Sequence, residues 1–113
     1  MNPTFWARVA RSNRIIHLID GMQIQNQWRG NCFVLMKINR LLPKEDRIRI
    51  NDTTAWGQLE IQQAMIQVSL KLKAIANKHN CDVHVEQFNV YVGLKSHMEH
   101  MYKLRSIPFE YPY

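Results

Sequence analysis

The sequence predicts a single small α+β domain, in which a long core helix packs on a four- to five-stranded antiparallel or mixed sheet with short terminal helices. Three observations predict this class. Apolar residues recur at helical spacing over about residues 54–78, and shorter segments alternate as strands do. A chain of 113 residues with 46% hydrophobic content suits one core. We expect one domain over residues 1–106 and a tail rich in proline and aromatic residues over 107–113.

A short helix is predicted at the amino terminus, from Pro3 to about Ser12. Asn2 is a favourable cap for the free amide groups, and proline loses nothing at the first helical position. Phe5 and Val9 then share one side of this helix, because residues four apart lie one turn above each other.

A β-hairpin is predicted next. Asp20 and Gly21 are typical of a two-residue turn, and they lie between alternating segments over about 15–19 and 22–26. An alternative interpretation continues the first helix through Ile19 with Gly21 as its cap.

Two further strands are expected in the middle of the chain. The segment from Cys32 to Ile38 is apolar and short, as a buried central strand is, although periodicity alone also allows a helix. Residues 43–46 then form a turn, and residues 47–50 alternate arginine and isoleucine like a half-exposed edge strand.

The long core helix is predicted from about Thr54 to Lys78, and Asn80 ends it. One apolar row recurs at threes and fours: Ile61, Ala64, Met65, Val68, Leu72 and Ile75. A second row of Leu59, Ile66 and Leu70 widens the stripe, so we expect the helix to be covered on more than one side. If Ile66 and Leu70 stay uncovered in so small a domain, they favour self-association into a homo-oligomer.

The remaining elements are a strand and a last helix. Residues 82–92 alternate in two phases, which predicts a strand with a bulge or break near Glu86 and Gln87. Ser96 followed by Glu99 is a capping-box pattern and predicts a helix that ends near residue 105.

The positive charge of the chain lies in its first half. Residues 1–50 carry nine lysine or arginine side chains against three acidic ones, a net charge of +6, whereas residues 51–113 carry six of each. Seven of the nine cations are arginines, which suit bidentate contacts to phosphate. We therefore interpret the chain as a small basic nucleic-acid-associated accessory protein that binds the phosphate backbone of DNA or RNA without catalysis. The predicted contact residues are Arg8, Arg11, Arg14, Arg29, Arg47 and Arg49.

Two tryptophans in this basic half have two alternative roles. Exposed on the surface, Trp6 and Trp28 would stack on unpaired bases. Buried, they would fill the core, as single large aromatic residues usually do, and the arginines would then only keep the protein soluble.

A second hypothesis is that the basic face binds an acidic protein surface, as an inhibitor or regulator of a larger enzyme does. The tail over 107–113 is too rich in proline for regular structure, and its aromatic residues are typical of segments that dock into partner grooves. Alternatively, the tail folds back over its own core. The candidate partner-binding residues are Phe109, Tyr111 and Tyr113.

Histidine and cysteine crowd into the last third of the chain, where both are potential zinc ligands. Their spacing fits no zinc-finger pattern, and histidine is common near the negative end of a helix. We therefore expect no metal and no cofactor at these residues, which are His79, Cys81, His84, His97 and His100.

The predicted order of helix, three strands, helix and strand is similar to the core of the restriction-endonuclease-like nucleases. The resemblance implies an acid at Asp20 and a lysine at Lys37, but Leu35 stands where the family needs a metal-binding carboxylate. It therefore implies a catalytically incomplete member that still binds nucleic acid. No Gly-rich phosphate loop, G-x-S-x-G or H-E-x-x-H pattern is present either, so the sequence disfavours an enzyme.

The sequence also predicts an intracellular, cytoplasmic protein without membrane association. The longest nearly apolar run, Cys32 to Met36, is far too short to cross a bilayer, and the amino terminus lacks the order of a signal peptide. Cys32 and Cys81 are interpreted as free, largely buried thiols, since small secreted scaffolds usually carry more cysteines.

Overall fold

The computed structural model describes residues 3–20, 27–50, 56–86, 88–104 and 109–110. The helices and the antiparallel pairing of β1, β2 and β3 confirm the α+β class. In chain order they are α1 (Pro3–Arg11), β1 (Ile15–Asp20), α2 (Gln27–Leu41), a 3-10 turn (Lys44–Asp46), α3 (Gln58–Asn77), β2 (Cys81–Glu86), β3 (Asn89–Leu94), α4 (Lys95–Leu104) and β4 (Phe109–Glu110).

The sheet has three antiparallel strands in the order β2, β3, β1. Val92 in the central strand pairs with Ile16 on one side and with Val83 on the other. Phe109–Glu110 adds only a two-residue parallel pairing beside Ile15 and Ile16. The predicted four- to five-stranded sheet is therefore wrong, because two of the segments expected as strands form other structure.

The first of these segments lies inside α2. Cys32 to Ile38 was expected as a strand, yet the buried side chains of Leu35, Ile38 and Leu42 recur at helical spacing. The apolar run was too short to distinguish the two structures by itself. The helix is favoured because buried residues continue at helical spacing from Cys32 to Leu42, and the helix itself is 15 residues long.

The second segment, residues 47–50, keeps its alternation but pairs with no strand of the described residues. Its backbone is held by a side chain instead. The Asn39 amide Nδ2 donates to the Ile48 carbonyl at 3.1 Å, and the Ile48 amide donates to Asn39 Oδ1 at 3.0 Å. These two bonds satisfy the groups that a neighbouring strand would otherwise satisfy.

The strand β1 is confirmed, and the alternative that continues α1 through Ile19 is wrong. Its antiparallel partner is β3, where Ile16 pairs with Val92 and His17 pairs with Tyr91. The expected hairpin partner over 22–26 lies outside the described residues. The predicted strand over 82–92 is really a hairpin, in which the chain turns back between the paired residues Glu86 and Asn89.

The three predicted helices at 3–12, 54–78 and 96–105 are confirmed, with shifted ends. The proposed caps of α3 near Thr54 lie outside the described residues. Its end agrees with the prediction, because Asn80 adopts a left-handed conformation with φ of 59°, which asparagine tolerates better than most residues.

The two faces of the sheet carry different layers. Ile16 and Val92 face the main core, which α1, α2 and α3 complete through Trp6, Leu35 and Val68. Alternate residues point the other way, and there Ile15 packs with Met98 of α4. Within the described residues, no helix combines the length and the apolar character that spanning a bilayer requires.

Candidate anion-binding surface

Helix α1 separates a buried face from a basic one. Trp6 is 1% exposed and Val9 is buried against the main core, while Arg8 and Arg11 are exposed on the other side. The two arginines are three residues apart, so they lie on neighbouring positions of one helical face. Both occupy the last turn, where the negative end of the helix dipole also favours cations.

A short link after α1 carries a third exposed arginine, Arg14. The Ser12 amide donates to the carbonyls of Arg8 and Val9, both at 3.1 Å, which closes the helix. The Arg14 amide then donates to the Ser12 hydroxyl oxygen at 3.2 Å, and the Arg14 side chain is exposed. We call Arg8, Arg11 and Arg14 the basic patch.

The basic patch borders an open cleft of about 230 Å³, which is lined by Arg8, Arg11, Ser12 and Ile16. Among the described residues, no carboxylate forms an ion pair with any of the three arginines, since the one ion pair found there joins His84 and Glu86. Their charge is therefore available to an external anion, with a field screened over about 8 Å at physiological salt.

Arg47 does not belong to this surface. Its Nε donates to the Leu42 carbonyl at 3.0 Å, and a terminal nitrogen donates to the Arg40 carbonyl at 3.1 Å. Those carbonyls lie at the C-terminal end of α2, where no following helical turn supplies backbone amides to bind them. Arg47 therefore acts as a side-chain cap for α2.

The other two predicted contact residues are not placed on the basic patch. Arg49 is exposed on the segment after the 3-10 turn, and the side chain of Arg29 lies outside the description of α2. Of the six arginines predicted from the sequence, Arg8 and Arg11 line one cleft, and Arg14 follows in the link after α1.

Trp6 cannot stack on a base, because it is buried in the main core. Its ring lies against Phe5 edge to face at 5.2 Å and stacks on His79 with centroids 6.0 Å apart. The core interpretation is therefore confirmed for Trp6, whereas the side chain of Trp28 lies outside the description.

No group of three potential metal ligands forms among the described histidine, cysteine and acidic residues. Cys81 donates its thiol to the His79 carbonyl at 3.4 Å, and burial raises the pKa of this thiol, which keeps it protonated. His84 contacts Glu86 Oε1 through Nε2 at 3.0 Å. Cys32 and Cys81 are buried thiols, as predicted.

One polar feature was missed by the sequence reasoning. His17, Tyr91 and His84 pair directly across the three strands, with His17 and Tyr91 stacked at 4.4 Å and Tyr91 and His84 at 6.2 Å. His17 is 5% exposed, and its Nε2 contacts Asn89 Oδ1 at 2.9 Å. This row became visible only through the pairing of β1 with β3, which no local pattern signals.

The resemblance to restriction-endonuclease-like nucleases is not supported by the fold. Leu35 and Lys37 lie on α2, where Leu35 is buried and the Lys37 ammonium sits 5.4 Å from the Phe33 ring. Asp20 lies at the end of β1. The strand that should carry both motif positions therefore does not exist.

The tail forms some regular structure, contrary to the expectation. Phe109 and Glu110 pair in parallel with Ile15 and Ile16. The side chain of Phe109 and the whole of Tyr111 and Tyr113 lie outside the described residues, so partner binding by the tail stays a prediction.

Comparison of the chain with protein-family models, with curated proteins and with solved structures finds no match.

Proposed function

We propose that this protein binds the phosphate backbone of a nucleic acid through the basic patch, without performing chemistry on it. The observation that carries the proposal is the presence of three exposed arginines on one helix end and the following link, which no described carboxylate neutralises. Each arginine can offer two parallel hydrogen bonds to a phosphate, which lysine cannot.

The charge distribution of the whole chain supports the same proposal. The net charge of +6 comes from residues 1–50, so the field attracts polyanions toward the half of the chain that contains the basic patch. The charges on DNA or RNA are regularly spaced, and their neutralisation releases counterions, which strengthens binding at low salt.

The burial of Trp6 limits the kinds of contact that this protein can make with a nucleic acid. Because Trp6 is not available to stack on bases, we expect the phosphates to supply most of the affinity. We therefore expect weak sequence preference. We also expect a duplex to bind at least as tightly as a single strand, because its charge density is higher.

The test is fluorescence anisotropy with labelled mixed-sequence duplex DNA, single-stranded DNA and RNA over a series of salt concentrations. If three phosphates are neutralised, the logarithm of the binding constant for duplex DNA should fall with the logarithm of the salt concentration with a slope of about −3. The variant Arg8→Ala/Arg11→Ala/Arg14→Ala should lose most of the affinity and most of this slope.

The matched control is Lys37→Ala/Arg40→Ala/Lys44→Ala, which removes the same charge from exposed positions elsewhere. It should retain most of the binding, since it leaves the basic patch intact. Equal losses in the two variants would show that only net charge matters. No binding to any polymer at low salt would overturn the proposal, and an acidic protein surface would become the ligand class to test.

A further inference from the structure

The tail lies next to the cleft of the basic patch. Ile16 lines this cleft together with Arg8 and Arg11, and the same residue pairs in parallel with Glu110 of β4. Neighbouring strands are about 4.8 Å apart, so the backbone of the tail runs within one strand spacing of a cleft residue. A polymer that leaves the cleft over this edge of β1 therefore meets the tail.

The tail also brings a negative charge to this edge. Glu110 is the only acidic residue of the sequence from position 100 to position 113, and its register position is opposite Ile16. One strand spacing is shorter than the screening length of about 8 Å at physiological salt. A negative charge on β4 therefore lowers the positive potential with which Arg8 and Arg11 attract phosphate.

The contact between the tail and β1 is small. It joins two residues of each strand, Ile15 with Phe109 and Ile16 with Glu110. The pairing of β2 with β3, by comparison, joins six residues of each strand. Each hydrogen bond contributes little net stability in water, and segments with few contacts open without unfolding the rest of the protein. The tail can therefore detach while the three-stranded sheet stays intact.

We propose that the tail is an autoinhibitory segment, which occupies the edge of β1 beside the cleft in the free protein and is displaced when a nucleic-acid backbone binds. The inference rests on the proposed function, because it concerns access to the same basic patch. Tail and polymer compete, since each favours a different state of this edge. The apparent affinity is then reduced by the fraction of molecules whose tail is detached, which for a two-residue pairing is about one tenth to one third.

A full-length variant with a tail that cannot pair provides the main test. Phe109→Pro/Glu110→Pro removes two backbone amides and the negative charge, and proline is excluded from most paired strand positions. In fluorescence anisotropy this variant should bind labelled duplex DNA about 3- to 10-fold more tightly than the parent chain at equal salt. The gain should disappear when Arg8→Ala/Arg11→Ala is added, because the tail then has no cationic cleft to restrict.

A second variant separates the charge of the tail from its pairing. Glu110→Gln keeps the backbone and should bind DNA about 2-fold more tightly, the effect of one charge at short range in water. The matched control is Glu99→Gln, which removes the same charge from an exposed position on α4 and should leave the affinity nearly unchanged. Equal gains in the two variants would contradict a tail charge beside the cleft.

NMR spectroscopy of the unmodified chain follows the displacement directly. When duplex DNA is added at low salt, the amide signals of Phe109 and Glu110 should move to positions typical of an unstructured chain. The signals of Val90 and Val92 in β3 should remain typical of a strand, because the antiparallel sheet is retained. Signals of Phe109 and Glu110 that keep their strand positions in the DNA-bound protein would overturn the inference.

The outcomes distinguish failure of this inference from failure of the proposed function. If the parent chain binds DNA through the basic patch and the double-proline variant binds with the same affinity, the tail is not autoinhibitory and the proposed function stands. If neither chain binds any nucleic acid at low salt, both proposals are overturned. Circular dichroism of the parent and the variants checks that all of them are folded.

Discussion

At the residue scale, arginines that look alike in the sequence have different roles in the structure. Arg8 and Arg11 are exposed on α1, whereas Arg47 binds the carbonyls of Leu42 and Arg40. The alternation of residues 47–50 correctly indicated that Arg47 points outward. It did not indicate that the end of α2 lies within reach of the guanidinium, because that contact depends on how the chain turns at Pro43.

The role of Arg47 predicts a stability effect. Arg47→Ala should lower the free energy of unfolding by about 1 kcal/mol, because two charge-assisted hydrogen bonds are lost from a partly exposed site. Arg47→Lys should recover little of this loss, since one ammonium cannot reproduce two bonds of the guanidinium fork.

Urea unfolding of these variants beside Lys44→Ala, an exposed neighbour, provides the measurement. Full recovery by lysine would mean that charge alone matters at position 47. The same Arg47→Ala protein should lose less nucleic-acid affinity than Arg11→Ala at equal salt. This comparison distinguishes the helix-capping role of Arg47 from the binding role of the basic patch.

At the element scale, the difference between strand and helix over residues 32–38 comes from neighbouring residues. An apolar run of this length suits either structure. Exposure of Phe33 and Met36 on either side of the buried pair at 34 and 35 fits a helix, because burial in a strand would be continuous or would alternate. The buried positions at Cys32, Asn39 and Leu42 continue the helical spacing and give α2 a contact with α3.

Helix α2 predicts a pattern of core substitutions. Val34→Ala and Leu35→Ala should each destabilise the protein by about 2 kcal/mol or more, because both side chains are fully buried. Met36→Ala, at a position 39% exposed, should cost well under about 1 kcal/mol. Chemical unfolding of the three variants measures the effects. A large loss at Met36 with little at Leu35 would argue against the helical face.

At the scale of the whole molecule, the sheet is covered unequally on its two faces. Three helices cover one face and form the main core, while α4 covers part of the other through Met98. Helix α4 can approach closely because β3 carries Gly93 at the contact. A Cβ atom there would lie 3.4 Å from Ile15 Cγ1 and 3.4 Å from Met98 Sδ.

The close approach of α4 to β3 predicts that substitutions at Gly93 destabilise the protein in proportion to their size. Gly93→Ala should be nearly neutral, since its Cβ would make ordinary contacts, whereas Gly93→Val should cost about 1 to 3 kcal/mol through overpacking against α4. Adding Met98→Ala to Gly93→Val should relieve part of that cost, and a double-mutant cycle measures the coupling. Strictly additive losses would contradict direct contact between Gly93 and Met98.

The sequence by itself determined the class of the fold, the long helix α3, the helices at both ends, the strand β1 and the basic character of the first half. Those features depend on local spacing, caps and composition, which a single segment carries. It also indicated that Leu59, Ile66 and Leu70 form a row of their own on α3.

Only the tertiary structure decided which strands pair, which apolar rows are covered and which arginines are available to a ligand. The pairing of β1 with β3 joins residues as far apart in the chain as Ile16 and Val92, and the backbone of Ile48 is satisfied by Asn39 instead of a strand. A backbone amide or carbonyl can pair with any group of suitable geometry. A local sequence pattern therefore shows that a hydrogen-bond partner is needed, but it does not show which residue supplies it. For the same reason, the sequence supplied six arginines as candidates, and the structure placed two of them, Arg8 and Arg11, beside one cleft.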